Sequence, residues 1–286
     1  MTRVNWGRSI PVRAAIVWLA ALGLGAFAQA QSSGQRIALT YSAASIVNAA
    51  SNVPGPLAAS TFVSIYGAQL SNVTRALSFD DIHGNVLPTT LIGTGLRVLV
   101  NAVPANVFYV SPSQINFLMP SNLNPGTAEI QVVVDGHAGV SAFLAVAAAS
   151  PAFFQLDAVT IIGTHADATL VDKQSPALPG EIVVLYATGL GQTVPPTPYS
   201  QIPRGAGPLA DIASFRVVLD GVELDPARVA YAGIAPGFAG LFQINVRLPD
   251  TLGEDPEIRV RASGQLSPPG LHLPARTSQL SSSSAR

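Results

Sequence analysis

The chain has 286 residues, 15 Lys plus Arg against 16 Asp plus Glu, and no cysteine. That excludes disulfides, thiol nucleophiles, Cys-ligated zinc and iron–sulfur centres. With 48% hydrophobic and 11% charged residues there is apolar material for two cores, which excludes wholesale disorder.

Arg3, Arg8 and Arg13 precede an uncharged run, 14–28, that carries Ile16, Val17, Trp18, Leu19, Leu22, Leu24 and Phe27. The run is shorter than the roughly 20 residues of a spanning helix, and Ala28-Gln29-Ala30 supplies the small residues that signal peptidase requires. Residues 1–30 therefore read as a signal peptide, with export to the periplasm, the cell surface or the medium; an uncleaved anchor is the alternative. Cleavage after Ala30 leaves 12 basic and 16 acidic residues, a formal charge of −4, with Lys173 the single lysine and no Lys/Arg cluster along the sequence. Counterion release then has little to act through, so nucleic acid is not an expected partner. No membrane span is expected after cleavage. Both tryptophans, Trp6 and Trp18, fall within the leader, so any aromatic platform must use Tyr or Phe.

Residues 31–35 are small and polar and read as a linker. From 36 onward the apolar runs are short and broken by Gly, Pro, Asn and Ser, punctuation that strands tolerate and helices do not. TFVSIY at 61–66 and EIVVLY at 181–186 are β-branched or aromatic runs that read as buried strands. Strands at 96–100 and 215–219 follow. The second leads into Asp220-Gly221, a tight-hairpin signal because both central positions require positive φ. Its counterpart, Asn101-Ala102, places Ala where positive φ is costly, so a different turn or a longer loop is expected there.

Two further strands at 107–110 and 228–232 precede QINFLMP at 114–120 and QINVRLP at 243–249, which lie 129 residues apart. That interval matches one sandwich domain and marks an internal repeat. Alternation of Ile130 and Val132 with Glu129 and Gln131, and of Ile258 and Val260 with Glu257, Arg259 and Arg261, gives each following strand one wet and one buried face. The fold expected is all-β, with two tandem immunoglobulin-like β-sandwiches at 36–149 and 150–267, joined stiffly near Ser150-Pro151. Residues 268–286 read as a disordered Ser-rich tail. The Pro/Gly-rich stretch 191–210 reads as an extended surface loop, and Tyr199 and Arg204 on it are the candidate ligand contacts; a solvated connector is the alternative.

None of His83, His137, His165 and His272 stands at metal-ligand spacing, so no metal and no cofactor is expected. His165-Ala166-Asp167 with Asp172, and the 80–85 segment, read as turn chemistry. There is no Gly-x-Ser-x-Gly elbow, and Glu254, Asp255 and Glu257 crowd a turn and a strand edge rather than flanking a cleft. GAGPLA at 205–210 fits a dinucleotide fingerprint only in letters, since Pro208 and the lack of a following helix remove the phosphate geometry. Gln114, Asn116, Gln243 and Asn245 read as strand amides bonding loop backbone. Tyr66, Tyr109, Tyr186 and Tyr231 recur at matched places and read as core or strand-end packing. No catalytic residue is assigned.

VNAASNVPGPLAASTFVSIYGAQL, YVSPSQINFLMP, PALPGEIVVLYATGLG and APGFAGLFQINVRLP resemble the bacterial Solibacter uncharacterised C-terminal domain family, over about 47–264. The strand ends at Gly67 and Gly189 resemble, more briefly, TIG/IPT immunoglobulin-like domains. The resemblance implies an exported module and carries no catalytic residue with it. The function expected is a non-catalytic exported structural, adhesion or binding module for an extracytoplasmic protein or glycan. A polysaccharide-binding accessory protein and an enzyme with an unrecognised site are the alternatives.

Overall fold

The computed structural model describes residues 39–277. The expected signal peptide, the linker and the last part of the expected tail lie outside the described residues. Two β-sandwiches follow one another, with four single-turn 3-10 segments as the helical content among the described residues. No described helix is long and apolar enough to cross a membrane.

One sheet of the first sandwich runs, in spatial order, Ile46–Asn48, Phe62–Tyr66, Gln114–Leu118, Asn106–Val110 and Arg75–Ala76. The facing sheet runs Ala142–Val146, Gly126–Val134, Leu96–Val100 and Val103–Pro104, with His137–Ala138 paired beside Gly126–Val134. In the second sandwich, Ala152–Phe153, Ile182–Thr188, Phe242–Arg247, Val229–Ile234 and Gly207–Pro208 face Val222–Glu223, Arg216–Leu219, Ile258–Ala262 and Gln265–Leu266. Side chains alternate across a strand, so every second residue enters the core. Val98, Ile115, Phe117 and Val132 fill the first core, and Val217, Phe242, Ile244 and Val260 the second. Truncating a fully buried Phe such as Phe117 or Phe242 to Ala costs about 3–5 kcal/mol. With no cysteine in the chain, this burial has to hold each sandwich together.

The repeat extends to single residues. Tyr66 pairs with Gln114 as Tyr186 pairs with Gln243, and Tyr109 faces Asn116 as Tyr231 faces Asn245. A bulge interrupts the neighbouring strand at the same place in both copies, between Val107 and Tyr109 and between Val229 and Tyr231. The strand amides bond each other rather than loop backbone. Gln114 Nε2 donates to Asn116 Oδ1 at 2.9 Å, and Gln243 Nε2 to Asn245 Oδ1 at 2.8 Å. Residues two apart share a strand face, which puts the second amide nearer than any loop.

Two further expectations are corrected. Asn101-Ala102 does not form a different or longer turn: φ is 49° and 63°, against 46° and 78° at Asp220-Gly221, and both pairs close two-residue hairpins. Ala102 is held in the left-handed region because its neighbour is pinned. Asn101 N donates to Glu129 O and Asn101 Oδ1 accepts from Glu129 N, both at 2.9 Å, and Asp220 makes the same two bonds with Glu257. The stretch 268–277, expected as tail, is part of the second sandwich and runs between 159–177 and 255–258, bonded to both. Leu271, Leu273 and Ala275 are buried at period two, and Ile258 N donates to Leu271 O at 2.8 Å. The flanking Pro and Ser residues hid that alternation.

Candidate functional site

The 191–210 stretch is not a free loop. Its ends zip together, Val194 N donating to Pro208 O and Ala210 N to Gln192 O, each at 2.8 Å. The arm so formed reaches across to the first sandwich. Leu87 N donates to Ser200 O at 2.7 Å, Asn85 Nδ2 to Ile202 O at 2.7 Å, and Asn106 Nδ2 to Ser200 Oγ at 3.0 Å. Gly237 N then ties Pro203 O back to the second sandwich at 2.7 Å. The composition that suggested a solvated loop instead encodes a strap.

Beneath the strap lies an apolar seam that joins the sandwiches. Phe62, Leu87 and Leu118 of the first pack with Ala152, Phe154 and Ala239 of the second, and Phe62 meets Phe154 edge-on at 6.1 Å between centroids. Thr188 Oγ1 accepts from Phe62 N and donates to Gly240 O, both at 3.0 Å, while Asn48 Nδ2 donates to Ser150 O at 3.0 Å.

The structure separates the two candidate contacts. Tyr199 is half-buried against the seam, and burial pushes its phenol up from 10.0. With Asn106, Met119 and Gly240 it borders a cavity of about 10 Å³, at the lower limit for one water molecule. Arg204 stays exposed at the tip. Tyr199 is therefore placed to hold the strap down, and of the two candidates Arg204 is the one that solvent reaches.

His165 has a partner that sequence spacing did not reveal. Its Nδ1 meets the Glu181 carboxylate, while Nε2 faces Ser175 O at 3.0 Å and Ser175 Oγ at 3.2 Å. The connectivity Ser–His–Glu is that of a nucleophilic triad. An acyl-transfer site needs N–H donors beside the nucleophile for the developing oxyanion. Here Gln174 N and Ser175 N both donate to Asp172 Oδ1 at 2.8 Å, and the following residue, Pro176, has no N–H. Both ring nitrogens face acceptors, an arrangement that suits imidazolium. Burial opposes that charge, but the bond to Glu181 and the Ser175 carbonyl prevail, and the His165 pKa is raised above 6.5. Asp167 and Asp172 do serve turns, accepting from Thr169 and from Gln174 and Ser175.

The 80–85 segment also holds more than a turn. Asp81 is buried and accepts two bonds from Arg75 Nη2, at 2.8 and 2.9 Å, and one each from Ser78 N and Ile92 N. Burial alone would raise its pKa, but these donors outweigh it and hold the carboxyl at about 2. An open depression of about 260 Å³ lies beside it, lined by His83, Val86, Pro88, Thr89, Thr90 and Ile92 among others. No group of three or more His, Cys, Asp or Glu among the described residues is placed to hold a metal.

No protein-family model matches the chain, and no curated protein matches it. Among solved structures, SGBP-B of the Bacteroides ovatus mixed-linkage glucan utilization locus, in complex with a mixed-linkage heptasaccharide, is 9% identical over 78% of this chain and 43% of that one, with a TM-score of 0.29. A surface glycan-binding protein from Prevotella bryantii is 11% identical over 82% and 41%, with a TM-score of 0.24. The tandem Ig repeats of Dlar are 12% identical over 78% and 92%, with a TM-score of 0.19. The chain spans less than half the length of the first two, and likenesses at these scores carry no argument about function.

Proposed function

We propose that the chain is a non-catalytic structural or binding module that acts outside the cytoplasm and holds two immunoglobulin-like sandwiches in one fixed relation. The observation that supports it is the seam. Aromatic packing, the bonds of Thr188 and the strap from 191 to 210 join the sandwiches by side chain, backbone and loop at once. Such a joint suits presenting surfaces at a set angle to an extracytoplasmic protein or glycan. The Ser175–His165–Glu181 array fits the same reading, because its backbone donors are engaged elsewhere and it ties 165 to 181. The export step and the kinship with the Solibacter C-terminal domain family belong to this proposal.

The purified protein is tested against a glycan array, envelope extract and a panel of hydrolase substrates. Retention of a glycan or an envelope component without turnover is expected. Turnover well above blank, abolished by Ser175→Ala, would overturn the non-catalytic reading.

A further inference from the structure

We propose that the outer face of the first sandwich's Gln-Ile-Asn sheet binds a neutral β-linked glycan, with Tyr66 and Tyr109 as its aromatic platforms and Asn116 and Gln114 as its hydrogen-bonding centre. The inference rests on the binding-module reading and names a site and a ligand class for it.

Strand register assembles this face. Ser64 stands opposite Asn116, Asn116 opposite Tyr109, and Tyr66 opposite Gln114. Directly opposed residues share a face, and Val63, Ile65 and Ile115, which alternate with them, fill the core. The side chains therefore stand outward in adjacent rows, with a tyrosine on either side of the amides. Two residues along the same strands, Phe62 and Leu118 continue this face into the seam. The open rows thus border the joint between the sandwiches.

The amides are held and yet incompletely used. Asn116 Oδ1 accepts from Ser64 Oγ and from Gln114 Nε2, each at 2.9 Å, which fixes the way the Asn116 amide points. Its Nδ2, like Gln114 Oε1 and Tyr109 OH, is left without a partner among the described residues, and none of the three is sealed from solvent. Gln114 is 8% exposed and Ser64 2%, so the pair has little freedom to turn. Tyr66 is 36% exposed, and its hydroxyl is pinned by donating to Asn52 Oδ1 at 2.9 Å. The result is a donor and an acceptor set between two rings, with little entropy left to lose on binding.

The second sandwich carries the same pattern in closed form. Tyr186, opposite Gln243, packs into the seam, and Tyr231, opposite Asn245, donates its hydroxyl to Ile234 O at 2.7 Å. Val184 stands opposite Asn245 where the first copy has Ser64. The fold therefore does not require an open tyrosine pair or a hydroxyl bonded to the amide, which leaves both available for recognition.

The chemistry of the face selects its occupant. No acid, lysine or arginine stands in these rows, so an ionic ligand has nothing to pair with. Phe62–Tyr66, Gln114–Leu118 and Asn106–Val110 are all internal to their sheet, so an added peptide strand finds no edge here. A β-linked pyranose with equatorial hydroxyls has apolar C–H faces that can lie on a tyrosine ring. Its rim of hydroxyls, each able to donate and accept, matches Asn116 Nδ2 and Gln114 Oε1.

The test measures binding of cellohexaose and xylohexaose, neutral β-linked probes with equatorial hydroxyls, by calorimetry. Wild type is expected to bind at least one of them, with an affinity unchanged when salt is raised. Tyr66→Ala and Tyr109→Ala should each weaken binding at least about fivefold, with an unchanged far-ultraviolet spectrum. Asn116→Asp keeps the oxygen that receives Ser64 and Gln114 and replaces the outward donor with an acceptor; a loss of at least about threefold is expected. Tyr231→Phe, at the matching place in the second sandwich, should leave affinity unchanged. No binding of either probe, binding that salt abolishes, or binding that survives both tyrosine substitutions would each overturn the proposal. Retention of another array member or an envelope component that ignores those substitutions removes this face and leaves the binding module standing; no retention of any glycan or envelope component removes both.

Discussion

Thr188 of the second sandwich accepts the backbone N–H of Phe62 in the first at 3.0 Å and donates the same hydroxyl to Gly240 O at 3.0 Å. It is fully buried, so neither partner can turn to water. Thr188→Val keeps the shape and strands both groups, and is expected to cost about 1–3 kcal/mol in urea unfolding. Thr188→Ser keeps the hydroxyl and should recover most of that loss.

Gly240 is the second point of the seam to test. It sits at φ +77°, and an added Cβ would lie 2.3 Å from Leu118 Cδ1 and 3.0 Å from Phe62 Cε2. Gly240→Ala therefore combines backbone strain with a wedge between the sandwiches, and should cost about 1–3 kcal/mol. Spin labels on Thr74→Cys and Lys173→Cys, in a chain with no native cysteine, should report one narrow distance in wild type and a broader one in this variant. Equal breadth in both would show that the seam does not set the angle.

The left-handed Ala102 makes a prediction of the opposite sign. Ala102→Gly relieves about 1–2 kcal/mol of backbone strain and loses about 0.5–1 kcal/mol to chain entropy, so a small rise in Tm is expected. Gly221→Ala, at the matching turn, should lower Tm.

Much of the fold was legible because it rests on local pattern. The alternation of Ile130 and Val132, the two Gln-Ile-Asn strands and Asp220-Gly221 each report their geometry within a few residues. What was not legible depends on partners distant in sequence. The strap is defined by Asn85, Leu87 and Asn106, over 90 residues before Ser200, and Pro/Gly composition is the same in a strap as in a free loop. His165 was read from its neighbours Asp167 and Asp172, while its ion partner is Glu181. Arg216 is set opposite Arg261, with Glu223 between them, by strand register, which spacing along the chain does not encode.

Asp81 predicts the acid behaviour. Its pKa is lowered from 3.8 to about 2, so its contribution is complete above pH 4 and is lost as pH falls through 2. By linkage that is about 2.5 kcal/mol. Asp81→Asn should cost about 3 kcal/mol at pH 7, the low end for a broken pair because Arg75 stays 30% exposed. The gap between variant and wild type should narrow in urea melts at pH 2.

His165 predicts the alkaline side. Its raised pKa means that its contribution is complete below 6.5 and is lost as pH rises through the folded value. The Tm difference between wild type and His165→Ala should be largest near pH 6 and shrink by pH 9, and Glu181→Gln should flatten the dependence. A difference constant with pH would show that the ring acts by packing alone.

The matched registers carry a hazard during synthesis. Phe62–Tyr66 and Ile182–Thr188 both pair with a strand that carries Gln-Ile-Asn, so Gln114–Leu118 and Phe242–Arg247 are potential substitutes for one another. Emerging first, the amino-terminal sandwich can close before its rival strand leaves the ribosome, and vectorial folding then protects the correct pairing. Refolding from denaturant offers both strands at once. A long-lived strand-exchanged species, absent after biosynthesis, is the expected cost of building one chain from two copies of the same unit.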